Sequence, residues 1–480
     1  MQKEKRQLAG DVVTEKSGYC RVFRNVQFLL VFLSYLVNSF GDWLNYVAAI
    51  KLLGDITPSS LHATYVSLFM VTRLLPPLIF VPFTGSIADA YDKRAVMGIT
   101  SVASALVVCG FLLVEATSKV WLFYLVAFLQ QTFFAQYDPT RRALVPAVVS
   151  AEELKFATTA DAYAWSIMMG IGATAGGGLL IKFGLDANFL IDAGTFVVSA
   201  ILIMLTSPVP LKCEARGEGD QAASSADEAS ATNVFQNVRR GAKYIFGREQ
   251  RSLLCILFVK ASAALSWGLA ELLEVQYSNM SSMHRFGGDA STLGLIYAST
   301  ACGCILGPLG FGALSAVGGA SEVAAMKRTL ISAFGLSAVS ALVLWLSRGA
   351  VSMLASSFLR ACASSAIWIY STLLVQRNAD PRFFGRIFAA EMCFFTASKG
   401  LGLLFGAALF DLLNFSSKIC ALFMMVVSIV VFFVWAAVFL LEEFNGRDEG
   451  EAKDTESKER SPLLPGAGKS DSNEESSIDI

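Results

Sequence analysis

Gly85-Ser86-Ile87-Ala88-Asp89-Ala90-Tyr91-Asp92-Lys93-Arg94 is a short polar stretch wedged between two long apolar segments, at about residues 63–83 and 95–114. Each segment has about the 20 residues that a helix needs to cross the hydrocarbon core of a bilayer. With so little chain between them, the two helices must be antiparallel neighbours. Gly85 lets the helices approach closely. Asp89 offers a carboxylate to backbone N–H groups or to a cation, and Lys93 and Arg94 mark a cytoplasmic edge.

The rest of the chain agrees. Of its 480 residues 54% are hydrophobic and 16% charged, too few charges to clothe a soluble globule of this size. The net charge of −1 conceals a sorting of the two signs along the chain. The nine cysteines include no C-x-x-C pair, and Cys109, Cys255, Cys302, Cys362 and Cys420 lie in apolar runs, which indicates neither a disulfide framework nor a zinc site. No nucleophile with a base, metal cluster or phosphate loop is recognisable, so the chain is read as no enzyme, with no cofactor and no nucleic-acid partner. Residues 1–24 lack the apolar run of a cleaved signal peptide, and the N-terminus is expected to be retained.

Apolar stretches of spanning length fall at about 26–50, 63–83, 95–114, 120–137, 159–181 and 189–205, and again at about 253–275, 293–314, 330–346, 351–375, 387–410 and 419–441. The expected fold is therefore an all-α membrane protein of twelve transmembrane helices in two six-helix bundles, residues 25–207 and 252–441. Outside them lie an N-terminal segment (1–24), a linker (208–251) and a tail (442–480), the last two read as disordered. Within the linker, Val234 to Phe246 places apolar residues at helical spacing opposite Arg239, Arg240 and Lys243, as in an interfacial helix lying on the membrane. Lysine and arginine concentrate before the first helix and in alternate connections (Lys93 and Arg94, Arg141 and Arg142, Lys327 and Arg328, Arg377, Arg382 and Arg386). Both termini are thus expected in the cytoplasm.

Gly85, Asp89, Lys93 and Arg94 fit the loop between the second and third helices of the major facilitator superfamily, which the chain resembles over about residues 28–441. Ala90 and Asp92 depart from the general pattern, and aspartate at 92 is similar to the branch of enterobactin exporters and macrolide-efflux-like proteins. Asp138-Pro139-Thr140-Arg141-Arg142-Ala143-Leu144-Val145-Pro146, read as a turn after the fourth helix, and Asp192-Ala193-Gly194-Thr195-Phe196 resemble further motifs of that branch. The resemblance implies two pseudo-symmetric halves working by alternating access, with Arg141 or Arg142 meeting Asp89 on the cytoplasmic side to hold an outward-open state. The bland alternative is that these arginines only set topology. Gly170 to Gly178 is similar to an antiporter signature in which Ala173 replaces proline; close helix packing explains it equally well. Gly307-Pro308-Leu309-Gly310-Phe311-Gly312 followed by Lys327-Arg328, and Gly385-Arg386, echo the first-half motifs, as two related halves require.

An ionisable group at mid-span costs about 2.5–3.5 kcal/mol or more to insert, so it faces a partner or a wet cavity. Arg73, Lys260, Arg360 and Lys399 fall near mid-depth, Asp42, Asp192, Glu271 and Glu274 in outer parts of their spans, and Asp161 and Glu391 toward inner ends. Mid-depth acids look too few to neutralise these cations. A cationic central cavity for an anionic or zwitterionic solute is the reading, with Asp42 and the other flanking carboxylates available to protons. On that reading neutralising Lys260 or Arg360 abolishes transport and leaves folded protein at the membrane; the alternative is that the charges pair within each half. Gln130, Gln131 and Trp267 are further candidates for the lining. His62 and His284 lie near predicted span ends, which leaves no mid-membrane histidine relay.

The tail carries Glu459-Arg460-Ser461-Pro462-Leu463-Leu464, an acidic dileucine pattern of the kind that sorting adaptors read in eukaryotes. The sequence thus leads to a secondary transporter of a small organic solute, with efflux against protons preferred over uniport, uptake or a non-transporting receptor or scaffold. Its expected partners are the solute, protons, membrane lipid and sorting adaptors, in an endolysosomal, vacuolar or plasma membrane.

Overall fold

The computed structural model describes residues 21–150, 152–207, 251–279, 289–315, 322–379 and 384–459, which are predominantly helical. The elements are α1 (Val26–Ile56), a short 3-10 turn (Ser59–Leu61), α2 (His62–Ala90), α3 (Lys93–Val108), α4 (Gly110–Thr117), α5 (Val120–Val148), α6 (Leu154–Met204), α7 (Arg251–Ser278), α8 (Asp289–Ser315), α9 (Glu322–Leu346), α10 (Ala350–Asn378), α11 (Phe384–Ala407) with a π-helical end (Ala408–Leu412), and α12 (Ser417–Glu459). Contacts group the chain up to Trp435 as one unit, so both predicted bundles share it through that residue, and Ala436–Ile480 as a second unit. The linker stretch Val234 to Phe246, His284 and the dileucine pair Leu463 and Leu464 lie outside the described residues, as do the side chains of Asp89, Arg386 and Glu459.

Among the described residues, nine stretches are long and apolar enough to cross a membrane. One of them, 156–204, holds two helical arms, because Gly184 at φ 81° and ψ −174° takes a left-handed backbone that breaks α6 at a position only glycine adopts readily. The predicted first and fourth spans are helical in α1 and α5. They are less apolar than the nine because they carry the buried Asn38, Asn45, Gln130 and Gln131 and the half-buried Asp42, which make contacts inside the protein. The exact number of spans is thus less legible than the all-helical fold.

Three expected boundaries move. The polar stretch opening at Gly85 is not a loop: α2 runs through it to Ala90, and only Tyr91 and Asp92 separate α2 from α3. Asp92 accepts from the Arg94 N–H at 3.0 Å, capping α3, which accounts for aspartate at this turn. The motif from Asp138 to Pro146 is likewise helical, since α5 continues through Pro139 and Pro146 to Val148. Arg141 and Arg142 reach back one turn to Asp138 across that segment. The tail expected to be disordered from 442 instead extends α12 to Glu459. Its lack of apolar periodicity argues against a buried face, while its glutamate and lysine are good helix formers in their own right.

Small residues determine how α6 sits. Gly172 and Gly176, one turn apart, press on the backbone of α1 at Phe40 and Leu44, while Gly170 and Gly177 press on α8 at Ala298, Ala301, Ala290 and Ser291. From the other side, Gly294 of α8 meets Ala173 and Thr174. Both faces of the glycine-rich run are therefore used, one inside the first half and one between the halves. Gly177→Val is expected to slow solute flux by about tenfold or more, because its side chain would meet backbone atoms of α8 that cannot yield and overpacking costs about 1–3 kcal/mol. Gly178→Val, where an added carbon meets nothing within 4 Å, is the matched control. Flux into proteoliposomes, with gel filtration to verify folding, compares the two.

Candidate functional site

The four mid-depth cations are all paired, at distances of 2.5–2.9 Å. Arg73 of α2 donates to Asp42 of α1 at 2.9 Å. The other Asp42 oxygen accepts from Gln130 at 3.2 Å. Gln131, with its amide turned to place oxygen toward Arg73, accepts from both terminal guanidinium nitrogens, at 2.9 and 3.2 Å. The guanidinium also lies 5.2 Å from the Tyr46 ring centre.

The other three pairs belong to the second half. Lys260 of α7 donates to Glu391 of α11 at 2.9 Å and to Thr372 of α10 at 2.6 Å, 4.5 Å from the Trp368 ring centre. Arg360 of α10 donates through Nη2 to Glu274 of α7 at 2.5 Å and stands 4.2 Å from the Trp267 ring centre. Ser357 donates to the same Glu274 oxygen at 2.7 Å. Lys399 of α11 pairs with Glu271 at 2.7 Å. Glu271 and Glu274, three residues apart on α7, are thereby aimed at α11 and α10 respectively.

This arrangement corrects two expectations. Mid-depth acids are not too few, and among the described residues the four cations are balanced by four carboxylates rather than left to form a cationic middle. Counting residues from span ends put Asp42, Glu271, Glu274 and Glu391 at other depths than their partners, but lysine and arginine stems reach across a helical turn and erase that difference. A buried pair also loses far less on leaving water than two separate ions.

Asp192 has a different role. It is fully buried, accepts from Asn45 Nδ2 at 2.5 Å and from Thr195 at 3.4 Å, and makes no ion pair among the described residues. Gly41 of α1 packs directly onto Asp192 and Thr195, so this carboxyl fastens α1 to α6.

At the end of the molecule where α6 stops and α7 starts, Arg141 is 1% exposed, bonded to Asp161 and Asp138 and stacked on the Tyr35 ring at 3.7 Å. Arg142 is exposed and bonded to Asp138 at 2.8 Å. Both arginines therefore have partners inside the first half, and Arg141 joins α5 to α1 and α6. The implied partner Asp89 lies outside the described side chains, and Lys93 and Arg94 are half-buried at the start of α3.

Hydrogen bonds join the two halves toward the opposite end. Thr64 N–H donates to Asp411 at 2.6 Å, His62 and Asn279 meet at 3.1 Å, and Thr174 donates to the Gly294 carbonyl at 3.2 Å. Nearer the pairs, Tyr46 of α1 donates to Glu271 at 3.0 Å, and Tyr297 of α8 donates to Tyr46 at 3.4 Å. Glu271 thus carries a cation of its own half and a hydroxyl of the other. Tyr46 and Tyr297 have no charge to mark them in the sequence, and only the apposition of α1, α7 and α8 reveals them.

A model of the Major Facilitator Superfamily matches residues 31–387. Over 398 residues the chain is 25% identical to the candidate bacilysin exporter BacE of Bacillus subtilis, covering 81% of this chain and 92% of that protein. It is 27% identical over 185 residues to the MFS-type transporter YfiS of Bacillus subtilis (strain 168), covering 38% of this chain and 43% of YfiS, less than half the length of that relative. The fold is similar to the crystal structure of the POT family transporter PepTSo, with a TM-score of 0.66 at 14% identity over 87% of this chain and 99% of that one.

Proposed function

Because this chain belongs to the Major Facilitator Superfamily and is an integral, multi-pass membrane transporter rather than an enzyme, we propose that it exports a small zwitterionic organic solute in exchange for protons. The observation that carries the reading is the balanced set of four cation and carboxylate pairs, two buried and two half-buried, one of the latter, Lys399 with Glu271, tied to the other half through Tyr46. A cargo with a single net charge would leave one buried partner uncompensated when it bound. A zwitterion brings both signs, and pairs can exchange partners without stranding an ion. This narrows the anionic or zwitterionic expectation to its second member.

Export is supported by the name of BacE, which aligns along most of both chains. Proton exchange is supported by carboxylates placed where the halves meet. The lysine and arginine distribution supports cytoplasmic termini, which would make the fastened end the outer one. The relatives reported above are bacterial, so a eukaryotic sorting role for Glu459, Leu463 and Leu464 rests on the sequence pattern alone.

Purified protein in liposomes, with a pH gradient of either sign, tests this against zwitterionic, anionic and cationic solutes of similar size. The expected result is flux of zwitterions opposite to proton flow. Flux no faster than through empty liposomes for every class, in both polarities, would end the carrier reading.

A further inference from the structure

The pairs differ in how much hydrogen-bonding capacity they leave unused. Around Asp42 and Arg73 the ligands are already in place: both carboxylate oxygens accept, and both terminal guanidinium nitrogens find protein oxygen. Around Arg360 they are not. Its Nη2 is held by Glu274, but Nη1, in a residue only 4% exposed, is buried without a partner, as is the second Glu274 oxygen. Such a donor leaves a hydrogen-bonding demand inside the protein, and the favourable way to meet it is an oxygen acceptor, best an anionic one. The planar fork suits a carboxylate better than a point charge, and the guanidinium carbon lies over the Trp267 ring, 4.2 Å from its centre.

Resting on the transporter reading above, we propose that Arg360 holds the acidic end of the cargo: a carboxylate accepts from Nη1, Trp267 forms the floor of the subsite, and Glu274 with Ser357 fixes the arginine through Nη2. The arginine is thereby pinned in place before cargo arrives, since Glu274 also accepts from Ser357 at 2.7 Å.

The test uses the full-length protein and a panel of amino acids and short peptides, each beside its methyl ester, which removes the anionic end and little else. Wild-type protein is expected to prefer the free acid by about tenfold or more, the least that loss of a hydrogen bond to a charged group entails. Arg360→Gln strands the Glu274 charge, so the double variant Arg360→Gln/Glu274→Gln, which removes the pair together, is measured beside it and is expected to treat acid and ester alike. Binding is read independently of flux, as quenching of the fluorescence difference between wild-type protein and Trp267→Phe. If no panel member crosses but the free acid still quenches and the double variant abolishes quenching, the subsite stands and the carrier reading falls. If the folded double variant keeps the wild-type preference for acid over ester, or if the free acid neither crosses nor quenches, the assignment of Arg360 is overturned.

Discussion

Lys260→Met is expected to destabilise the folded protein by about 3–5 kcal/mol, the usual cost of removing one partner of a buried ion pair. Lys260 and Glu391 are 4% and 1% exposed and meet at 2.9 Å, with Thr372 and the Trp368 ring completing the ammonium's surroundings. Taking away the ammonium leaves Glu391 beside an apolar methionine, with one of its oxygens already lacking a partner. Lys260→Met/Glu391→Gln removes both charges and is expected to recover most of the loss, because an uncharged buried couple avoids the desolvation that the ion pair has to offset. Thermal unfolding of full-length protein in detergent compares the variants. A single variant as stable as the double would mean that water reaches Glu391 and that the pair is not a dry one. This reverses the expectation drawn from sequence, in which neutralising Lys260 leaves folding intact, since a residue facing an open cationic cavity would strand no partner.

What could be read from the sequence and what could not divide along a physical line. The spans are legible because lipid demands long apolar helices whatever they pack against, and the family resemblance is legible because Gly85, Asp89, Lys93 and Arg94 lie close together in the chain. Even so, the polar run opening at Gly85 reads as a loop and is mostly helix: charge locates an edge of the membrane but does not stop a helix whose backbone bonds continue. The candidate cations were found one by one from their cost in lipid. Their partners were not, because Arg360 and Glu274 are 86 residues apart and Lys260 and Glu391 131 apart, and nothing local relates them. Glu271 shows the limit most clearly. Its depth and charge mark it as a candidate, but its link to the other half depends on Tyr46, an aromatic residue of the first helix that sequence alone would assign to packing.

That link carries the other large expected effect: Glu271→Gln abolishes accumulation driven by a pH gradient while leaving exchange of cargo for cargo. Ionised, Glu271 pairs with the Lys399 ammonium at 2.7 Å and accepts from the Tyr46 hydroxyl at 3.0 Å, holding a cation of its own half and a donor of the other at once. A proton taken up after the cargo has left would weaken both and loosen the halves where Tyr46 and Tyr297 meet, so that the empty carrier returns only with its proton. Glutamine has the shape of the protonated form and cannot leave it, so the proton ceases to be a participant although the halves remain free to rock. One proton per cargo across 2 pH units can sustain at most about 100-fold accumulation, since each unit is worth about 1.36 kcal/mol. For Glu271→Gln that ratio falls to about 1, with exchange of labelled for unlabelled cargo still measurable. Tyr46→Phe separates charge from fastening, because it deletes the hydroxyl and leaves the carboxylate ionisable. It is expected to keep gradient-driven accumulation and to expose a cysteine placed near Tyr297 to membrane-impermeant thiol reagents more readily. Accumulation by Glu271→Gln equal to wild type would remove this carboxylate from coupling and direct the search to another acid that joins the halves, Asp411 at the Thr64 N–H.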